Sequence, residues 1–184
     1  VFESQRLYDV GEQFVKEGVP AEPYEVTIGE PAMRRTGSDV TFLTIGATLY
    51  RALEAADQLQ AEYGISAEVI DARTLVPFNY DMVIESVKKT GKIIVAGDAT
   101  ARGSYLNDLA QNIQNLAFDY LDAPVQILGS RNWITPAYEL ENDFFPQADW
   151  FIDLYHQRIA PIAGYTPTHN FTDGEIRRRS TLGV

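Results

Sequence analysis

Four short apolar runs, each followed by a stretch of helical period, constrain this chain more than any other feature. They are "VTFLTI" from Val40, "AEVID" from Ala67, "KIIVAG" from Lys92 and "PVQIL" from Pro124. Runs that are apolar on both faces fit strands buried in a parallel sheet, because helices must cover both sides. Leu49, Leu53, Ala56 and Tyr63 recur at helical spacing after the first run. Asn79 is a cap for a second helix carrying Met82, Val83 and Val87, with Glu85 three and four residues before Lys88 and Lys89. Leu106, Leu109, Ala110, Ile113, Ala117 and Tyr120 form a third stripe, and Trp150, Phe151 and Leu154 mark one face of a last helix between Gln147 and Ile159. In front of these units, "PAMRRTGSDVTFLTIG" holds two extended runs around turn residues and predicts an antiparallel hairpin. The fold expected is a three-layer α/β/α domain with a mostly parallel five-stranded sheet and one antiparallel edge strand.

The remaining segments are punctuation. "GEQFVKEGVPAEP", Gly11 to Pro23, reads as a connector, and the residues after Pro161 read as an irregular tail that wraps over the body. Arg177, Arg178 and Arg179 within it read as a solvated basic run. The opening "VFESQRLYD" has neither the basic nor the apolar region of a signal peptide and no initiator Met, so a longer parent protein is expected.

Charge and composition remove whole classes of function. The formal net charge is −11, which disfavours nucleic acid, whose binding depends on neutralising phosphates, and favours a basic protein partner. The chain has no cysteine, so thiolate catalysis and cysteine metal sites are excluded. No run of about 18 apolar residues is present to span a membrane.

In open α/β sheets ligands sit beyond the carboxyl ends of the parallel strands. Those ends place Asp71, Arg73, Asp98, Arg102, Ser130 and Arg131 along one edge. "IIVAGDATARGSYLNDLA", Ile93 to Ala110, has the outline of a phosphate loop there: strand, glycine, small residues, helix. It fails the test of spacing, with five residues between Gly97 and Gly103 and no lysine before Ser104. Asp98 repels phosphate and Arg102 offsets it, which leaves weak anion binding open; the main reading is a strand–helix turn capped by Ser104. His156 reads as a histidine near a helix C-terminus, where cations are favoured. Neither His156 nor His169 stands at a spacing that suggests a metal site. Glu139, Glu141 and Asp143 read as a solvated face, and Trp133 and Trp150 as core or interface anchors.

From Val1 to about Ile159 the chain resembles the C-terminal, transketolase-C-like domain of the E1 component (β subunit or β half) of thiamine-diphosphate-dependent 2-oxo acid dehydrogenases. The residues that carry this are "VFESQRLYD", "GSDVTFLTIGATLYRALEAADQL", "GISAEVIDARTLVPFNYDMVIESVKKTGKIIV" and "AFDYLDAPVQILGSRNWITPAYELENDFFP". The last block, with "FDYLDAPV", Pro136, Leu140, Glu141 and Pro146, points to the E1 β type. The resemblance implies three parts: residues 1–25 as the end of a preceding pyrimidine-binding domain and linker, 26–160 as the transketolase-C-like domain, and 161–184 as a C-terminal tail. It implies an oxidoreductase that decarboxylates a 2-oxo acid and passes the acyl group to lipoyl-E2, with assembly and E2 docking as this domain's share. Partners implied are an E1 α subunit or α half, a second E1 protomer and E2, in the cytoplasm or the mitochondrial matrix. Thiamine diphosphate and Mg²⁺ are implied for the intact enzyme and are expected outside this fragment, because G-D-G followed downstream by Asn is absent and the "DGE" at Asp173 does not replace it. No catalytic, cofactor or metal residue is therefore expected here, and Asp71, Arg73, Asp98, Arg102 and Arg131 are candidates for an interface at the strand ends. Gly97-Asp98 stands where the family tends to carry His-Glu, so no role of that histidine carries over. A transketolase-type or deoxyxylulose-phosphate-synthase-type enzyme, or a non-catalytic binding module of the same fold, are the alternatives.

Overall fold

The structure, a computed structural model, describes residues 4–11, 13–14 and 20–183. The expected connector at Gly11–Pro23 and the expected domain end before it fall partly outside those residues.

Five strands form one sheet in the order β1-β3-β2-β4-β5. They are β1 (Ala32–Arg35), β2 (Val40–Thr44), β3 (Ala67–Asp71), β4 (Ile93–Thr100) and β5 (Gln126–Ser130). β2 pairs in parallel with β3 from Val40↔Ala67 and with β4 from Thr41↔Ile93, and β4 pairs in parallel with β5 from Ile94↔Gln126. Only β1 is antiparallel, at the edge beside β3. The helices are α1 (Thr48–Tyr63), α2 (Asp81–Thr90), α3 (Tyr105–Ala117), the short α4 (Glu141–Phe144), α5 (Ala148–Arg158) and α6 (Asp173–Leu182).

Alternation along β2 shows how the layers arise. Val40 and Phe42 face a cluster with Leu49, Ala56 and Leu59 of α1 and Phe151 and Leu154 of α5. Leu43 faces the other cluster, with Val83 and Val87 of α2 and Leu106, Leu109 and Ile113 of α3. Phe42 and Phe151 meet with ring centroids 5.0 Å apart, and burying one such side chain stabilises the fold by about 2–3 kcal/mol. α1 and α5 thus cover one face while α2 and α3 cover the other. Thr41, a polar residue on the α2 side, is satisfied there by Ser86 Oγ at 2.6 Å and Thr90 Oγ1 at 2.8 Å.

The expected hairpin does not form. β1 and β2 are separated by β3, so "TGSD" carries the chain over the start of β3 instead of turning back. Ser38 and Asp39 both donate backbone N–H bonds to the Ser66 carbonyl, and Asp39 accepts one from the Ser66 amide at 2.7 Å. A side chain at Gly37 would stand 2.3 Å from the Ala67 carbonyl carbon. All five residues of β2 are buried, and two parallel partners satisfy both its edges, which leaves β1 the outside of β3. There β1 presents Arg34 and Arg35, paired with Asp71 and Asp57, a charged edge that discourages further strand pairing.

One of the two expected caps forms: Ser104 with Asn107 makes a capping box at the start of α3. Asn79 stands one residue before the N-cap of α2, which is Tyr80 and has no side-chain cap bond; its Oδ1 accepts from the Asp81 amide at 3.0 Å in the turn that leads into the helix. Glu85 pairs with Lys88 at 2.7 Å. Lys89 instead reaches Glu68, which is buried in β3. A buried carboxylate demands a partner more strongly than an exposed one does.

The tail beyond Pro161 wraps over the body as expected but is not irregular throughout. Ile162, Tyr165 and Phe171 pack against the α1/α5 cluster, and α6 then runs back past the end of β5. Its start is a cap: Thr172 Oγ1 accepts from the Glu175 amide at 3.4 Å.

Candidate functional site

The strand ends separate the expected residues into two groups. Asp71 leaves β3 with both carboxylate oxygens engaged, Oδ2 by Arg34 at 2.9 Å and Oδ1 by the Arg73 amide at 3.2 Å. Arg73 has a left-handed backbone, φ 60°, a conformation uncommon for a residue with a Cβ. Asp98, on the last part of β4, accepts from Thr48 Oγ1 at 2.6 Å at the start of α1. α1 has no acidic residue in its first turn and no side-chain cap, so Asp98 brings the negative charge that its dipole favours.

Arg102, Ser130 and Arg131 come together elsewhere, around a pocket of about 440 Å³ past the ends of β4 and β5. Its apolar walls include Leu128, Trp150, Leu154, Phe171 and Ile176, and Arg179 of α6 reaches it as well. The Arg131 guanidinium lies over the Trp150 ring, 4.0 Å from the centroid, a geometry in which cation and ring face attract. Its backbone amide donates to the Phe144 carbonyl at 3.0 Å. Burial, and then the nearby Arg179 charge, lower the Arg131 pKa from its ordinary value. Asp98 lines a different pocket, of about 270 Å³, with Leu7, Tyr50, Arg51 and Pro146, so it is no partner of Arg102.

Two features were missed in the sequence. Arg177 and Arg178 of the "RRR" run are exposed as expected, but the run is helical and not wholly solvated: Arg178 and Arg179 both bond Glu175 at 2.7 Å, and Arg179 lines the pocket. The spacing Thr172-x-x-Glu175 is a capping-box signature and was the available signal. The second is a cluster of Asp149, Asp153 and His169, whose ligand atoms all lie within 4.8 Å of one another. Asp149 and Asp153 stand four apart on α5, a spacing that could have been read. Asp153 is fully buried, and its oxygens accept from Tyr165 Oη (2.6 Å), the Thr168 amide (3.2 Å), Thr168 Oγ1 (2.9 Å) and the His169 amide (2.8 Å). A carboxylate so occupied by donors of its own chain is a staple for the tail, not a cation ligand. Burial, and then the hydrogen bond to Asp153, push the Tyr165 phenol pKa upward. His156, near the end of α5, accepts at Nδ1 from the Ile162 amide at 2.9 Å and holds the same segment. Trp150 is a core residue as expected, whereas Trp133 is more than half exposed.

Comparison with known proteins decides the family. Residues 29–150 match the family "Transketolase, C-terminal domain". The chain belongs to the transketolase C-terminal domain family. It is 34% identical over 154 residues to the Bacillus subtilis acetoin:2,6-dichlorophenolindophenol oxidoreductase subunit beta, covering 83% of this chain and 43% of that protein. It is 37% identical over 127 residues to the Bacillus subtilis 2-oxoisovalerate dehydrogenase subunit beta, covering 69% and 37%. A solved structure, "Split gene transketolase, inactive beta4 tetramer", superposes with a TM-score of 0.54 at 27% identity, over 72% of this chain and 40% of that one. The chain therefore spans about two fifths of the length of the curated relatives it matches.

Within this transketolase C-terminal domain, Gly97 and Asp98 have local duties. A Cβ at Gly97 would stand 3.1 Å from Leu106 Cδ2 and 3.5 Å from Ile45 Cβ, so glycine lets α3 settle on β4. Neither the arginine pocket nor the Asp149–Asp153–His169 cluster offers a fit for thiamine diphosphate with Mg²⁺. Among the described residues, no carboxylate lines the arginine pocket, and the Asp149–Asp153–His169 cluster has its buried oxygens occupied. No described helix is long and apolar enough to cross a membrane.

Proposed function

We propose that this chain is the C-terminal portion of an E1 β subunit, or β half, of a thiamine-diphosphate-dependent 2-oxo acid dehydrogenase, in which it serves subunit assembly and E2 docking. The observation that carries the reading is the agreement of family and relatives: the domain match together with acetoin and 2-oxoisovalerate β subunits at 34% and 37% identity. The intact enzyme would decarboxylate a 2-oxo acid, or cleave acetoin, and hand the acyl group to lipoyl-E2. Thiamine diphosphate supplies the carbanion chemistry when bound, and it would be held with Mg²⁺ by other parts of the assembly. No step of the reaction is assigned to a residue of this chain.

Two surface properties support the assembly role. Trp133, Ile134, Tyr138 and Leu140 are exposed in one segment between β5 and α4, Ile134 by 94% and Tyr138 by 83%. Apolar surface of that density marks contact with another protein. The net charge of −11 suits a basic partner such as an E2 subunit-binding domain, and Asp71, Arg73 and Asp98 lie at the strand-end edge where neighbouring domains would pack. The partners are then an E1 α subunit, a second protomer and E2, in cytoplasm or mitochondrial matrix, with neither nucleic acid nor membrane.

The test is the full-length parent protein, assayed with its α partner for substrate-dependent dye reduction using acetoin, pyruvate and branched 2-oxo acids. Activity with one of these that requires added thiamine diphosphate is expected. For docking, binding to a basic E2 subunit-binding domain should weaken steeply with salt, and salt-insensitive or absent binding ends that part. A transketolase-type activity is the second reading, favoured by the split-gene transketolase superposition. Ketol transfer from a ketose phosphate by the same preparation, without dye reduction, would replace the first.

A further inference from the structure

The 440 Å³ pocket past β4 and β5 carries an inference that stands apart from the oxidoreductase reading. Its polar lining includes Arg102, Ser130, Arg131 and Arg179, with Asn107, Gln126, Asn132 and Ser180 as neutral groups, and no described lining residue is a carboxylate. In a chain of net charge −11 that is a local reversal of sign. Arg179 is tied to Glu175, and Arg102 is exposed, its carbonyl accepting from Thr100 Oγ1 at 2.8 Å. Arg131 differs. Trp150 covers it from one side, it is half-buried, the carboxylates of Asp143, Glu175 and Asp149 act on its charge without bonding it, and among the described residues no oxygen accepts a hydrogen bond from its guanidinium. An arginine held by a ring face, partly desolvated and left without an acceptor is preorganised for a planar fork of oxygens.

The apolar side of the pocket limits what such a group can be attached to. Leu128, Trp150, Leu154, Phe171 and Ile176 offer contact to hydrocarbon or to a ring, and the volume is that of a small-molecule site. We infer that this pocket binds a small organic oxyanion, a carboxylate or phosphate monoester on an apolar body, with Arg131 as the anchor and Arg102 and Arg179 flanking it. α6 is then part of the site, because it brings Ile176 and Arg179 to the rim. A neighbouring pocket of about 260 Å³, lined by Arg131, Asn132, Trp133, Glu175, Arg178 and Arg179, continues the arginine surface outward.

The test is calorimetric titration of the 184-residue chain with benzoate and with phenyl phosphate, using benzamide as the neutral isostere and inorganic phosphate as the bare anion. At least one of the two organic anions should saturate at one site, and the tighter of them identifies the oxyanion. Benzamide and inorganic phosphate should each bind at least about tenfold more weakly, the size of one charge-assisted hydrogen bond or of the lost apolar contact. Arg131→Ala should weaken the organic anion about tenfold or more, and Arg131→Lys should recover only part of this. Arg102→Gln, at an exposed side chain that the fold does not use, should weaken it two- to fivefold, roughly what a flanking charge contributes, and serves as the readout if Arg131→Ala does not fold. Equal binding of benzamide, equal binding of inorganic phosphate, no saturation by either organic anion, or unchanged affinity in the folded arginine variants would each overturn the inference. None of these outcomes touches the dehydrogenase reading, which fails or stands on activity of the full-length protein.

Discussion

The two ends of the strand-terminal edge are built from opposite chemistry. Beside β3 and β2, charge is closed on itself: Asp71 takes Arg34 and the Arg73 amide, and Asp98 takes Thr48 at the start of α1. Beside β5, Arg102, Arg131 and Arg179 surround apolar walls, and the Arg131 guanidinium faces a ring. Carboxylates that meet donors of their own chain stabilise the fold. Donors left facing a cavity remain available to a ligand. The lesson is that sharing one sheet edge does not make residues one site.

The contrast depends on the strap from Ile162 to Phe171 that delivers α6 to the β5 end, and the largest effect is expected where that strap is stapled. Asp153→Ala removes the acceptor for Tyr165, Thr168 and His169 together and should lower stability by about 3 kcal/mol in urea unfolding. Hydrogen exchange should show α6 losing protection before the sheet does. An unchanged α6 would mean that the arginine pocket has an independent scaffold. Zn²⁺ should leave the midpoint of thermal unfolding unmoved; a saturable rise would turn the Asp149–Asp153–His169 cluster into a metal site.

The closed end is tested next. Gly97→Ala pushes a methyl group against Leu106 and should cost about 1–3 kcal/mol. Combined with Leu106→Ala, the loss should be clearly less than the sum of the two single changes. Strict additivity would say that Gly97 is there for another reason. A smaller change is expected for Asp98→Asn, about 0.3–1 kcal/mol from the lost charge at the α1 N-terminus. Part of it should vanish in high salt, because the interaction is screened.

The smallest effect has a pH signature. Arg178 and then Arg179 hold the Glu175 pKa down to about 2 from 4.5, and Arg158 lowers that of Asp173. A carboxylate depressed in the folded state contributes stability that is complete above its unfolded pKa and is lost as pH falls through the folded one. α6 should therefore loosen between about pH 4.5 and pH 2, read as rising hydrogen exchange in 173–182. The pairs lie at the surface, where water and salt weaken them, so the sheet should remain folded over the upper part of that window. Glu175→Gln should flatten the dependence; a profile identical to that of the unaltered chain would assign it to other groups.

Much of the fold was legible because buried parallel strands and amphipathic helices write different periods into the chain. The three layers, the single antiparallel edge strand, the Ser104 cap and the Leu106–Ala117 stripe were all readable in that way. The partner of β1 was not. Two extended runs joined by "TGSD" have the same local pattern whether the chain turns back or crosses its neighbour, and long-range burial of β2 decides between them. The site was half legible: strand-end position pointed to Arg102 and Arg131, but also to Arg73, which is exposed away from the pocket, and to Asp71 and Asp98, whose carboxylates are bonded elsewhere.

By itself, then, the sequence determined the layer architecture, the exclusion of thiolate chemistry and the resemblance to a transketolase-C-like family. The first two follow from local period and residue type, and the third from whole blocks of sequence shared with that family. Tertiary structure alone decided that β3 separates β1 from β2, that Asp153 is a staple, and that an arginine run in the tail meets Arg131 over Trp150. Each of those depends on residues far apart in the chain meeting through burial, and local pattern carries no record of which partner burial will choose.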